Sequence, residues 1–349
     1  MIINKTVGIT SYGVSIPRQI IKISEIEKAQ NKSGVGKSIG VISKTVPARD
    51  EDTITLATQA ALNALENFSG NSLDISNLFI GSESHPYAVK PSGTVVKSAL
   101  GLSENMALAD LQFACKAGTQ GMQIGFSYLL SGLSKYSLAI GADTAQASPG
   151  DALEFTAGAG AGAYILGTEN TIANLLATTS IATDTPDFWR RAGQSYPEHA
   201  GRFSGEPAYF YHITTAAKKI MEETKLRPED FDYCVFHTPN GKFPRQAAKM
   251  LGFSKKQLSP SLVVDKIGNT YAGAVPLALS AVLDIAKPGE KIMVVSYGSG
   301  AGSDGFVFET TDLITKFNKG RKNKVKGQVK QTREVDYVEY QAVMKLLNH

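Results

Sequence analysis

The sequence predicts an α/β protein made of two similar halves. Three observations carry this expectation: short β-branched runs alternate with amphipathic stretches, the order of elements repeats, and polar residues at strand ends recur at a constant spacing. The strand-like runs are 7–16 (VGITSYGVSI), 77–84 (NLFIGSES), 107–111 (ALADL), 136–143 (YSLAIGAD), 233–238 (YCVFHT), 261–265 (SLVVD) and 291–298 (KIMVVSYG). Between them, 54–68 and 206–225 carry apolar residues at helical spacing, while 118–132 reads as a helix of small residues and 272–286 as a further helix.

The repeat is one of order. In the first half a helix, a polar link ending at Asp74, a strand, Glu83, a short strand, Cys115, a helix, a strand and the Gly-rich GAGAGAYILG follow one another. In the second half the series runs helix, RPEDFD, strand, His237, the strand SLVVD, Asn269, helix, strand and GSGAGSDGFVF. His237 follows Glu83 by 154 residues and Asn269 follows Cys115 by the same 154 (237 − 83 and 269 − 115). The halves are therefore placed at 1–170, with Glu83 and Cys115, and 171–349, with His237 and Asn269. The insertion DTAQASPGDALEFTA in the first half is of the kind loops absorb.

Halves packed about a pseudo-twofold axis bring matching strand ends together, where open α/β sheets bind ligands. Cys115 sits between a strand and a helix start, a place expected to lower a thiol pKa and favour attack on a thioester; its bland reading is a small buried hydrophobe. Cys234, in mid-strand, reads as core. His237 fits thiol activation or hydrogen bonding to a carbonyl, against an ordinary structural histidine. Glu83, among small residues, fits an acid or base with a raised pKa, against a solvated loop carboxylate. The loop 298–305 offers backbone N–H groups, Gly298 and Gly300 among them, for an oxyanion hole shared with the Cys115 amide.

Composition excludes several classes. The 349 residues are 42% apolar and 19% charged, ordinary for a globular enzyme and enough for about two domains. No signal-like N-terminus and no apolar run of membrane-spanning length is evident, so a cytoplasmic protein with free thiols is expected. His85, His199, His212 and His349 have no metal-ligand spacing, and no metal is expected. GSGAGSDG is a poor dinucleotide fingerprint, and SGVGKS lacks the first glycine and the preceding strand of a phosphate loop. The net charge is +4. Lys316, Lys319, Arg321, Lys322, Lys324, Lys326, Lys330 and Arg333 read as a solvated face or, alternatively, a patch for phosphates or an acidic partner. Nothing indicates nucleic-acid binding.

The segments FACKAGT, GADTAQASPGDALEFTAGAGAGAY, TPDFWRR, GRFSGEPAYF, FHTPNGKFP, IGNTYAGA and SYGSGAGSD together resemble archaeal-type 3-hydroxy-3-methylglutaryl-CoA (HMG-CoA) synthases, a branch of the thiolase superfamily. The resemblance runs from about residue 5 to REVDYVEYQAVMKLL. It implies the five-layer αβαβα thiolase fold and condensation of acetyl-CoA with acetoacetyl-CoA and water, as in isoprenoid synthesis. By position it makes Cys115 the acetyl carrier, Glu83 the general base and acid, and His237 the residue that orients acetoacetyl-CoA. Thr156, Ser204, Asn269 and Ser299 match substrate positions, and Asp187 matches an acidic support for them. Lys242 and, less closely, Arg245 match the CoA-facing side, and Gly36–Lys37 aligns loosely with another CoA contact. The family's tyrosine before the inserted loop has no counterpart in DTAQASPG. The resemblance further implies a homodimer, no cofactor, and assembly with an acetoacetyl-CoA thiolase through a small zinc-ribbon/OB-fold protein. The alternative is a ketoacyl-ACP synthase III-like acyltransferase, which shares Cys, His and Asn but not the acidic residue. A degradative thiolase needs a second cysteine in the last Gly-rich loop, and a papain-like hydrolase needs a cysteine signature absent here.

Overall fold

A computed structural model describes residues 1–144 and 147–347 of the chain. His349 and part of the DTAQASPG insertion lie outside the described residues. The main sheet is built from β1 (Gly8–Ser15), β2 (Ile75–Gly81), β3 (Ala107–Leu111), β4 (Tyr136–Thr144), β5 (Ala159–Gly167), β6 (Ala173–Ala182), β7 (Tyr233–Phe236), β8 (Lys291–Val295) and β9 (Gly302–Thr310). Their order across the sheet is β7-β8-β9-β6-β1-β5-β4-β2-β3. The strands β3, β2 and β4 run parallel, as do β7 and β8, and the pairings between these groups are antiparallel. β1 and β6 meet over two residue pairs, Gly8–Asn174 and Ile9–Ala173, so the sheet is two sheets joined at a narrow seam.

Helices complete five layers. The central pair is α2 (Ala117–Ser131) and α5 (Ala274–Leu283), with α1 (Thr53–Glu66) outside the first sheet and α3 (Phe210–Thr224) and α4 (Lys242–Leu251) outside the second. α5, AVPLALSAVL, is apolar nearly all round because both sheets cover it. α2 packs close through small residues: a Cβ on Gly118 would lie 2.5 Å from the Ala272 carbonyl oxygen, so only glycine fits. α1 starts where Asp52 accepts a hydrogen bond from the Thr55 amide at 2.8 Å and Thr55 answers the Asp52 amide, which fixes its first turn. Met122 and Phe126 of α2 and Val275 and Leu279 of α5 form a core with β1, β5, β8 and β9.

Two expectations are corrected. Residues 261–265 form no strand; they follow the turn Ser259–Ser261 and enter a short helix, Val264–Ile267. The Ser261 hydroxyl donates to the Cys234 carbonyl at 3.1 Å and closes one open position on the outer edge of β7. Covering an edge in this way replaces adding a strand to it. The basic stretch is also not uniformly solvated. Arg321 is buried, pairs with Asp284 at 2.5 Å and lies 3.8 Å from the Tyr12 ring centre.

A small sheet of 19–22, 43–46 and 333–334 carries the helix Tyr337–Leu347. The buried Glu154 accepts from the Gly150 amide (2.8 Å), the Tyr337 hydroxyl (3.0 Å) and the Gln341 amide (2.6 Å), and so ties that helix to the loop bearing Thr156.

Candidate active site

Two parallel strands set one wall. Asp143, near the end of β4, is fully buried; one carboxylate oxygen accepts from the Ser82 hydroxyl (2.7 Å), the Ser84 hydroxyl (2.6 Å) and the Glu83 amide (2.8 Å), and the other from the Ala272 amide (2.7 Å). These bonds fix the turn after β2 against the loop that follows Asn269. Asp143 escaped the sequence reading because its partners lie up to 129 residues away. Burial, and then the Asp143 charge, push the Glu83 carboxyl up to about 8; Cys115 and the nearby Arg190 act in the opposite direction.

Cys115 lies two residues ahead of α2, after Ala114 at φ 43°. Its thiol is set between the Glu83 carboxyl, which raises its pKa, and the Asn269 side chain, which lowers it. The expected lowered thiol pKa is contradicted: burial first, and then the Glu83 charge, raise it well above the ordinary value. A helix terminus helps a thiolate only modestly, and here an unfavourable carboxylate is in direct contact. At neutral pH the thiol therefore keeps its proton and the Glu83 carboxyl is mostly protonated, with a minor ionised fraction. Cys234 is buried in β7, where burial raises its thiol pKa.

His237 directly follows β7, and its amide donates to the Val295 carbonyl at 3.0 Å. Burial lowers its pKa to about 3, so the imidazole is neutral. Its Nδ1 is buried without a protein partner among the described residues. Asn269 is held by its own backbone, whose amide donates to the Thr156 carbonyl (2.7 Å) and whose carbonyl accepts from the Gly158 amide (2.8 Å). The Asn269 side-chain oxygen accepts from the Tyr271 amide at 3.0 Å, which turns the NH2 group toward Cys115.

Cys115, His237, Asn269, Thr156, Asp187, Ser204 and Ser299 all line one cavity. Its remaining wall is largely apolar, with Leu153, Phe155, Phe188, Tyr209, Phe243 and Tyr297. Glu83 lines a second cavity with Ser82, Gln112 and Arg190, and Phe188 and Tyr271 border both. The Glu83–Cys115 pair thus joins the two spaces.

Some predicted residues do other work. Both Asp187 oxygens are engaged, accepting from the Thr185 hydroxyl (2.8 Å), the Tyr297 hydroxyl (2.6 Å) and the Gly300 amide (3.0 Å); Asp187 braces the loop rather than offering a free oxygen to a ligand. That contact also occupies the Gly300 amide, and the Gly298 amide donates to the Gly302 carbonyl at 2.9 Å. Neither glycine N–H is therefore available to an oxyanion. The amides of Cys115 and Ser299 donate to no protein acceptor among the described residues, and both residues line the cavity. Lys242 and Arg245 lie outside that cavity, exposed on α4. Arg245 pairs with Asp265 at 2.5 Å and faces Gly36 and Lys37 across a separate cleft. Among the described residues no group of three His, Cys, Asp or Glu side chains is placed to hold a metal ion, and no helix is long and apolar enough to cross a membrane.

Known proteins share much of this sequence and this fold. Residues 221–310 match the family described as 3-oxoacyl-[acyl-carrier-protein (ACP)] synthase III C terminal. The chain is 51% identical over 335 residues to a hydroxymethylglutaryl-CoA synthase of Thermoplasma acidophilum, covering 95% of each chain. It is 52% identical over 335 residues to one from Methanocaldococcus jannaschii, covering 95% of this chain and 97% of that one. A solved structure, MvaS in complex with 3-hydroxy-3-methylglutaryl coenzyme A, superposes with a TM-score of 0.90 at 23% identity, over 98% of this chain and 92% of the other. That likeness establishes the thiolase-type fold.

Proposed function

The chain belongs to the hydroxymethylglutaryl-CoA synthase family, and on that premise we propose how its own residues carry out the condensation of acetyl-CoA with acetoacetyl-CoA. The observation that carries the reading is the Cys115 thiol set beside a buried carboxyl, Glu83, that acts on its titration, in a cavity it shares with a neutral imidazole.

In acetylation the thiol proton passes to the neighbouring ionised Glu83 as sulfur attacks the thioester carbonyl. The tetrahedral oxyanion accepts from the Cys115 and Ser299 amides. Its collapse breaks the carbon–sulfur bond to CoA, and Glu83 returns the proton to the departing CoA thiolate. Acetyl-Cys115 then has Glu83 beside its methyl group. Glu83 removes a methyl proton, the resulting carbon nucleophile attacks the ketone of acetoacetyl-CoA, and the proton returns to the new alkoxide. His237, neutral across the working pH range, donates to that ketone oxygen and aligns it. Water releases the product by hydrolysing the enzyme thioester.

Thr156, Ser204 and Asn269 supply the polar points of an otherwise apolar cavity, which suits an acyl chain. Lys242, exposed at the start of α4, and Arg245 are assigned to the CoA-phosphate side on the family resemblance. The halves 1–170 and 171–349 divide between β5 and β6, and the matched strand-end positions support that division. The same reading includes a homodimer, supported by the half-exposed edge strand β3. It also includes a cytoplasmic location, no cofactor, and the thiolase and zinc-ribbon/OB-fold partners implied by the resemblance. A ketoacyl-ACP synthase III-like activity would leave the second task of Glu83, removal of a proton from the acetyl methyl group, unused.

The test is to incubate the purified chain with acetyl-CoA, map the acetyl group by peptide mass spectrometry, and then add acetoacetyl-CoA. Acetyl on Cys115 and formation of HMG-CoA are expected. Failure of either, in folded protein, overturns the reading.

A further inference from the structure

The residue after the nucleophile is charged and almost wholly enclosed: Lys116 is 2% exposed and its partner Asp304 is 0% exposed. The Lys116 ammonium lies 3.0 Å from each Asp304 oxygen, donates to the Gln120 side chain at 2.5 Å, and sits 4.3 Å from the Phe113 ring centre. Asp304 also accepts from the Thr119 hydroxyl (2.8 Å) and the Ser180 hydroxyl (2.7 Å), so every bond in the cluster is satisfied. An isolated buried charge is costly, and a pair that is fully hydrogen-bonded is rigid.

The pair joins the two segments that carry the free amides. Lys116 is covalently next to Cys115. Asp304, in β9, is tied through its backbone to Ser296 at the other end of the hairpin bearing Ser299: the Ser296 amide donates to the Asp304 carbonyl at 2.8 Å, and the Asp304 amide donates to the Ser296 hydroxyl at 3.0 Å. The segments touch along their length. A Cβ on Gly298 would lie 3.0 Å from the Lys116 nitrogen, and one on Gly302 would lie 2.6 Å from the Phe113 ring. Glycines let the backbones meet, and the ion pair holds them in register.

We propose that Lys116 is a positioning residue whose buried ion pair with Asp304 fixes the separation of the Cys115 and Ser299 amides and so sets how well the oxyanion on acetylating Cys115 is held. The proposal rests on the reading of Cys115 as acetyl carrier and adds a residue that touches no substrate. An oxyanion hole loses its effect when its donors move apart, because they act only on a correctly placed oxygen.

The test compares two reactions of the same sulfur. Acetyl transfer from acetyl-CoA passes through an oxyanion; alkylation by iodoacetamide, a displacement at carbon, does not. In Lys116→Met, acetyl transfer should slow by about 100-fold, the scale for losing one oxyanion donor, with alkylation within about threefold of wild type. Equal acetyl-transfer rates in variant and wild type, or a parallel fall in both reactions, overturn the proposal. Should Lys116→Met not fold because it strands Asp304, the double variant Lys116→Met/Asp304→Asn leaves no buried charge and is judged by the same two rates. Wild-type protein that alkylates but never acetylates at Cys115 instead overturns the assignment of the nucleophile.

Discussion

Glu83 lies just past β2 and His237 just past β7, and burial acts on them in opposite ways. It raises the Glu83 carboxyl to about 8 and lowers the His237 imidazole to about 3. Both shifts favour the neutral form, as burial always does. The consequences differ because the two groups begin on opposite sides of neutral pH. Glu83 is brought to where it both takes and returns a proton, whereas His237 is removed from titration and left as a fixed hydrogen-bonding group. Their neighbours reinforce the division. Glu83 contacts Cys115 and is influenced by Asp143, while His237 is framed by the aromatic rings of Tyr209 and Tyr297. On the proposed reading the site thus holds a proton carrier and a neutral guide.

The comparison breaks most visibly with pH. The condensation rate should rise with pH through a midpoint near 8, because Glu83 must be ionised to remove the methyl proton. Between pH 6 and 8 the ionised fraction of such a group grows about 50-fold. No second limb from His237 is expected above pH 4. Single-turnover rates on acetylated enzyme measure this, and a midpoint near 6.5 would assign the proton to the histidine instead. A smaller effect is expected from His237→Ala. Loss of one hydrogen bond to the ketone should raise KM for acetoacetyl-CoA about tenfold while Cys115 acetylation stays within about threefold. An equal loss in the acetylation step would place His237 in thiol activation.

Much of the site was legible in the sequence because strand ends and spacing are local. Glu83, Cys115, His237 and Asn269 follow from short patterns and one repeated offset; the last three line one cavity, and Glu83 acts on Cys115 from the neighbouring one. What local pattern cannot supply is the partner across the fold. The Cys115 pKa was misjudged because the helix start is visible in sequence whereas contact with Glu83, 32 residues earlier (115 − 83), is not. Gly298 and Gly300 were named for the oxyanion because glycine marks the loop, yet their amides are spent on Gly302 and Asp187, and Ser299 between them keeps the free N–H. Arg321 looked like part of a solvated run because its counter-charge, Asp284, lies in a different element. Residues 261–265 have a strand-like composition, but the sheet ends at β7, and the segment serves as its cover.

The most direct test is Glu83→Ala, mixed with acetyl-CoA and then with acetoacetyl-CoA. The substitution removes the acceptor of the thiol proton but also the neighbour that raises the thiol pKa, and the two effects offset, so acetyl-Cys115 should still form, more slowly than in wild type. Condensation should fall about 1000-fold, within the range for losing general acid–base catalysis. An acetylated Glu83→Ala enzyme that makes HMG-CoA at close to the wild-type rate would contradict the central role given to this carboxyl.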